Sequence, residues 1–332
     1  MTALPLSMKL LVPGYRGRWL ARYAGMIAEF ERVVPELAFG TSDDGVPWIE
    51  RREDGLRFHG FWTEPANLEV WRILRPAMPA ALDPRWFRLV KDYINRFLYP
   101  HMRPDLRPHG FAPGALFGFH GQHKDAIADY PDEVARAHLA AAFLPKPADI
   151  VLDCGAFLGF GDLHMSRAAP RGRIIAVEPD VDCYALLQRN LEHNRISNVE
   201  TVQAAIWESE GELTLERSFA QANTLVAEVS RGEETSTVET VSVDALLKRL
   251  KVRGLDMLSL TLNGAEVEAL KGATRTLERD RPRIRLAGWY HRGGKPIHEL
   301  VTPILEAAGY WVFVGRRGNV MALPEEKAGP AK

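Results

Sequence analysis

The stretch "VLDCGAFLGFG" (151–161) sets an acid, Asp153, directly ahead of glycines at 155, 159 and 161. Glycine reaches backbone conformations closed to other residues and lets a ligand approach the main chain closely. A second acid, Glu178, stands before Pro179 at the end of the apolar run "RIIAVEP" (173–179). An acid at such a strand end accepts hydrogen bonds from ribose hydroxyls. Farther on, "LTLNGAEVEAL" (260–270) breaks a strand at Asn263-Gly264 and enters a helix whose first turn carries Glu266 and Glu268. Such junctions usually carry a carboxylate at the strand tip, but here the tip offers Thr261 and Asn263. The run "RIRLAGWYH" (283–291) ends on His291. These residues make up a nucleotide-type turn, a ribose acid, an amide that can orient an acceptor, and an imidazole that can take a proton.

Strands alternating with helices must position them. "DIVLDCG" (149–155), 173–179 and "NVETVQAAI" (198–206) read as the first three strands. Between the second and third, Asp180 is placed to cap a helix with Val181, Tyr184, Leu187 and Leu191 on one face. Then come "GELTLERS", a polar loop over 219–236, "TVSVDALLKRL", and a strand over 256–262 expected beside the first one. A helix over 265–278, a strand over 283–290, a helix near 295–308 and a hairpin turning at 315–318 complete the pattern. The class is α/β: a mostly parallel seven-stranded sheet with helices on both faces and a terminal antiparallel hairpin. This domain is expected over 141–325, with 326–332 a disordered tail.

Residues 1–140 read as a helix-rich N-terminal region. Trp19, Tyr23, Ile27, Phe30 and Val34 recur at helical spacing over 16–34. That stripe suits packing against the main domain or a twin subunit in a homodimer, and Glu29 and Glu31 argue against a membrane-surface role. "VPWIERREDGLRFHGFW" (46–62) reads as a β-hairpin turning at Asp54-Gly55, and two helices are expected near 66–77 and 85–99. Residues 100–131, rich in Pro, Gly, His and aromatics, read as a long covering loop expected to wall the acceptor pocket.

Bulk properties narrow the function classes. The 332 residues carry a net charge of −1, so no basic field argues for nucleic acid or an anionic membrane. The two cysteines, Cys154 and Cys183, lack metal-ligand spacing and suit a reducing cytoplasm. No apolar run reaches the ~20 residues of a membrane span, the N-terminus has no secretory pattern, and no His/Asp/Cys cluster has metal spacing.

Two cofactor classes use a turn like 153–161. Read as G-x-x-x-G-x-G, it resembles the short-chain dehydrogenase fingerprint for NAD(P). Read as D-x-G-x-x-x-G, it resembles the first motif of class I S-adenosylmethionine-dependent methyltransferases. Asp153 would face a dinucleotide pyrophosphate anion against anion, whereas it complements the cationic methionine end of S-adenosylmethionine. None of the eight tyrosines has a lysine four residues later, as the dehydrogenases require. The motif also begins well into the chain, whereas those dehydrogenases usually start with it.

The run from 151 to about 291 resembles the FkbM-type methyltransferase family. The matching pieces, in order, are "VLDCGAFLGFG", "IIAVEPDVDCYALLQRNLEHN", "VQAAIWESEGELTL", "VETVSVDALL", "LSLTLNGAEVEALKGA" and "RPRIRLAGWYH". The resemblance implies a Rossmann-like class I fold and methyl transfer from S-adenosylmethionine, typically to a hydroxyl of a sugar or secondary metabolite. It assigns Asp153, Gly155, Ala156 and Gly159 to the methionine end, Glu178 and Pro179 to the ribose, and Ala204, Ala205 and Ile206 to the adenine's surroundings. The family usually reads Lys-Ile-Asp-Val-Glu-Gly-Ala-Glu where this chain has Ser259, Thr261 and Asn263 at the Lys, Asp and first Glu positions, and only Glu266 keeps its charge. The candidate catalytic residues are therefore His291 as base, Asn263 and Glu266, with His120, His123 and His164 weaker and Glu268 equally a first-turn helix acid. The missing acids keep a non-catalytic, cofactor- or partner-binding member open as an alternative. A short-chain NAD(P)-dependent reductase is the other.

Overall fold

A computed structural model describes residues 24–60 except 26, 29, 33 and 45, then 143–217, 223–227, 234–315 and 318–327. The chain divides into two units, 1–118 and 119–332. The expected helices near 66–77 and 85–99 and the loop 100–131 lie outside the described residues.

In the first unit, β1 (Leu37–Thr41), β2 (Pro47–Arg51) and β3 (Arg57–His59) form an antiparallel sheet in that order. The expected hairpin is β2–β3, with Gly55 at φ 70° in its turn. The sequence reading missed β1. Gly40 is required there, because a Cβ would sit 2.2 Å from the Trp48 ring. Of the helical stripe, Phe30 and Val34 are buried and Ile27 half-buried, while Trp19 and Tyr23 lie outside the described residues.

The second unit is built on a seven-stranded sheet. Its strands are β4 (Ile150–Cys154), β5 (Arg173–Val177), β6 (Val199–Val202), β10 (Met257–Leu260), β11 (Arg283–Leu286), β14 (Tyr310–Val314) and β15 (Val320–Pro324). The spatial order is β14-β15-β11-β10-β4-β5-β6. β11, β10, β4, β5 and β6 run parallel, and β15 alone runs against its neighbours. β10 lies beside β4, as expected from the sequence, with Leu260 opposite Cys154. The order reverses direction at β4, where doubly wound sheets open a crevice for ligands.

Side-chain alternation fixes the layers. Leu152, Cys154, Leu258, Leu260, Ile284 and Leu286 point to one face and join a single apolar core with α3 (Val243–Arg249), α4 (Glu266–Lys271), α5 (Thr274–Arg279) and α6 (Ile297–Ala307). Val151, Ile174 and Met257 point to the other face, against Met165 and Ala169 of the α1 segment (α1, Phe160–Ala168). Ala176 meets Leu187 and Leu191 of α2 (Val181–His193) on that same face. Asp180 caps α2 as expected, its carboxylate accepting from the amides of Asp182 and Cys183.

Several boundaries differ from the expectation. The third strand ends at Val202, and β7 (Ala205–Ile206) leaves to pair with β9 (Glu234–Val241), which also pairs with β8 (Gly211–Arg217). β9 therefore takes residues 234–236 out of the expected polar loop. The helix over 265–278 splits at Gly272, where a Cβ would lie 2.5 Å from the Trp207 carbonyl. Asp244 restarts it by accepting from the amides of Arg275 and Thr276. Val181, expected on the apolar face of α2, is 56% exposed at the first position of that helix. Glu325–Lys327, expected partly in the tail, form a 3-10 turn held by the Arg281–Glu326 ion pair.

Burial of charge near the sheet's other end is matched by pairing. Arg283, 5% exposed, forms an ion pair with Asp149 and donates to the Leu144 carbonyl at 2.9 Å. Removing one partner of a buried pair leaves the other charge uncompensated. Arg283→Met is expected to destabilise the fold by about 3–5 kcal/mol, read as a lowered denaturation midpoint with no change in m-value.

Candidate cofactor and acceptor site

The site residues collect where β4, β5 and β10 end. β4 runs into a turn that needs glycine twice. Gly155 has φ 85°, and a Cβ on it would lie 2.1 Å from the Thr261 carbonyl oxygen. Gly159 has φ 82° and starts α1, where a Cβ would lie 2.6 Å from Leu187. Gly161, within α1, meets nothing closer than 3.6 Å and is not required in the same sense. The amides of Gly155 and Ala156 both donate to the Val177 carbonyl, and the Thr261 amide donates to the Cys154 carbonyl. The ends of three adjacent strands are thus stitched through backbone bonds.

Glu178 completes the turn. Its Oε2 accepts from the Phe157 amide at 2.9 Å and its Oε1 from the Asp180 amide at 3.0 Å. Phe157 itself sits in the left-handed region at φ 53°, a strained position for a non-glycine residue that surrounding bonds must hold. Glu178 is 5% exposed, and burial pushes its carboxyl up to about 7 against the pull of those two amides. Each carboxylate oxygen has a second lone pair, so acceptor capacity for a hydroxyl remains. The residue is both an anchor for the turn and a candidate ligand group. Pro179 is half-buried beside it.

Glu266 does the same work at the end of β10. Its Oε1 accepts from the Leu262 amide at 2.8 Å and its Oε2 from the Gly264 amide at 3.0 Å. It is fully buried, and burial pushes its carboxyl up to about 7. Asn263 between them has φ 52°, its Nδ2 donates to the Asn223 carbonyl at 2.7 Å, and its own carbonyl accepts from Thr224 Oγ1 at 3.0 Å. Asn263 therefore ties residues 223–226 across the strand end, and the N-cap position of α4 falls to Ala265. Arg292 reaches the same loop, donating to the Gly264 carbonyl at 3.2 Å and pairing with Glu268 at 2.7 Å.

Of the remaining candidates, Ala204, Ala205 and Ile206 are buried at the start of β7. His291 is exposed on the short β12–β13 hairpin (β12, His291–Arg292; β13, Lys295–Pro296), the residue before Arg292. His164 is exposed on α1. His120 and His123 lie outside the described residues. The structure brings Asp153, Gly155, Ala156, Gly159 and Glu178 together at one turn, with the Asn263–Glu266 loop on the adjoining strand.

Sequence reasoning missed Arg285, Arg292 and Thr224. Arg285 was legible in principle: "RIRL" alternates two arginines with two apolar residues, so one face of that strand had to be polar. Nothing local announces Arg292 or Thr224, which act on a loop 28 and 39 residues away.

Residues 153–312 match the family model described as the methyltransferase FkbM domain. The chain is 33% identical to the methyltransferase sdnD of Sordaria araneosa over 181 residues, covering 45% of this chain and 67% of that protein. It is 26% identical to methyltransferase 1 of Beauveria bassiana over 171 residues, covering 45% and 65%. The chain thus spans about two thirds of the length of these relatives. Among solved structures, the FkbM methyltransferase of Methylobacillus flagellatus aligns with 15% identity and a TM-score of 0.41, over 61% of this chain and 58% of that one.

The two anchoring acids predict a pH signature. The ordinary glutamate value is 4.5 and the folded value of Glu266 is about 7. The folded state therefore holds the proton more tightly. The stability linked to it is fully present below pH ~4.5 and lost as pH rises through ~7. Glu266→Gln has no such proton and loses one of two amide bonds. It is expected to be less stable than the parent by about 1–3 kcal/mol at pH ~5, with the deficit narrowing by pH ~8. Denaturant unfolding at the two pH values checks this; a deficit that widens with pH contradicts it.

Proposed function

The chain belongs to the methyltransferase FkbM family, and on that premise we propose that it moves a methyl group from S-adenosylmethionine to a hydroxyl of a small molecule such as a sugar or secondary metabolite. The observation that carries the reading is the turn at 155–159, fastened to Glu178 at the ends of neighbouring parallel strands. Its donor set suits this cofactor. Asp153 complements a cationic methionine end, and the spare lone pairs of Glu178 suit ribose hydroxyls. A pyrophosphate would meet two acids there.

When bound, S-adenosylmethionine supplies a methyl group on a sulfonium, which an acceptor oxygen displaces in line. The protein's work is then to orient the acceptor, exclude water and receive the hydroxyl proton. Asn263 holds the 223–226 segment where β10 ends, and so fixes the wall beside the glycine turn. Glu266 has both oxygens committed to amides, which suits a loop anchor better than a base. His291 is the proposed base, carried on the hairpin whose Arg292 is bonded to the Gly264 carbonyl.

The purified chain is expected to bind S-adenosylmethionine and S-adenosylhomocysteine but not NADH by calorimetry. Tight NADH binding with neither of the others would end this reading. Glu178→Ala is expected to weaken cofactor binding by roughly ten- to a hundred-fold and also to lower the unfolding midpoint, because the Phe157 and Asp180 amides lose their acceptor.

Acceptor turnover separates the other roles. Asn263→Asp keeps a side chain that tolerates positive φ but sets a carboxylate against the Asn223 carbonyl. Turnover is expected to fall roughly tenfold with cofactor affinity within about threefold of the parent. His291→Ala is expected to slow turnover much more at neutral pH than at high pH, where the acceptor ionises unaided. A pH-independent loss, or none, would remove His291 from the role of base.

A further inference from the structure

A polar row crosses the sheet where apolar residues would be cheaper. The parallel registers set Asp153 on β4 opposite Ser259 on β10, and Ser259 opposite Arg285 on β11. All three point to the face covered by α1. Two residues earlier on the same strands, Val151 and Met257 pack on Met165, and Arg285 Nη2 itself lies 3.3 Å from the Met165 sulfur. Asp153 is 7% exposed, Ser259 1% and Arg285 6%.

The polar atoms form a directed chain. Arg285 Nε donates to Ser259 Oγ at 3.1 Å, and Ser259, beside Asp153 in the parallel register, favours the charged form of that acid. A hydroxyl has one proton and two lone pairs. Ser259 accepts from the guanidinium and so keeps its proton for the carboxylate beside it. A buried guanidinium is tolerated only when it is paired, and the partner reached through Ser259 is the acid at the mouth of the glycine turn.

We propose that Ser259 and Arg285 are positioning residues for cofactor binding: the row from Arg285 through Ser259 aims the Asp153 carboxylate at the cationic methionine end of S-adenosylmethionine. The proposal rests on reading the site as that cofactor's. Burial pushes the Asp153 carboxyl up, and Arg285 and Ser259 oppose it. Asp162 on α1 faces the same cluster, fully buried and with neither oxygen hydrogen-bonded. Burial, and after it Asp153, pushes Asp162 well above the ordinary carboxylate range. A neutral Asp162 does not compete with Asp153 for the Arg285 charge. The other titratable groups that feel the cluster's charge are Glu178 and His164, and Cys154 from the opposite face of the sheet.

The test is calorimetric titration of S-adenosylhomocysteine into the parent chain, S259A, R285M and the double variant S259K/R285M, repeated from pH ~6 to ~9 with unfolding midpoints recorded alongside. S259A and R285M are expected to weaken binding about tenfold or more near neutral pH. In both, the pH below which affinity falls away moves upward, because one of the two groups that oppose burial is gone. The double variant moves the cation one strand closer to Asp153 and is expected to return affinity to within about threefold of the parent. A row that was only structural would not be rescued this way. Parental affinity with an unmoved pH profile in S259A and R285M overturns the proposal, and so does a folded double variant that binds no better than R285M. Should R285M fail to fold, S259A, which keeps the guanidinium, decides by the same two readouts. A parent chain that binds neither S-adenosylmethionine nor S-adenosylhomocysteine overturns the proposed function instead.

Discussion

A parallel sheet satisfies its own backbone groups only as far as its strands run. Where β4, β5 and β10 end, the amides of the following loops need acceptors, and the site depends on how they find them. Val177 and Cys154 supply backbone carbonyls. Glu178 and Glu266 supply buried carboxylates, each bridging two loop amides. Left-handed residues at 155, 157, 159 and 263 are held in place by these bonds. The same acids that stabilise the loops thus build the crevice, and their raised proton affinity is the cost of placing charge there.

The two faces of the sheet are unequal for a related reason. The face under α3–α6 is a continuous apolar core. The face under α1 carries Asp153, Ser259, Arg283 and Arg285 among its apolar residues. Arg283 answers Asp149 at the N-terminal end of the strands, and Arg285 lies toward the C-terminal end, where the site is. Charge on this face is therefore sorted along the strand direction, with the Arg283–Asp149 pair at one end and the Asp153–Ser259–Arg285 row at the other.

The departure noted at 259–263 acquires a physical meaning in this setting. The resemblance places a lysine where Ser259 stands, and the fold brings Arg285 to the same row from the next strand. Asn263, where an acid was expected, spends its amide on fastening residues 223–226. Losing acids at a strand tip has not left the tip without partners; it has changed which segment the tip holds.

Much of this was legible in the sequence. The succession of strands and helices could be read from alternation, because each βα unit carries its own period and its own cap, as with Asp180. The glycines at 155 and 159 announced a turn, since few other residues reach φ near 80°. Asp153 and Glu178 were placed by their position after apolar strands. What the sequence could not decide was pairing across distance. The row Asp153–Ser259–Arg285 spans more than 100 positions and exists only because two parallel registers align. The split of 265–278 at Gly272 came from a carbonyl at Trp207, more than 60 residues away. The roles of Glu266 and Asn263 turned on which loop amides and carbonyls arrived beside them. Local period and propensity fix elements one at a time; side-chain partners, and with them charge states and the aim of a carboxylate, are fixed only when the sheet closes.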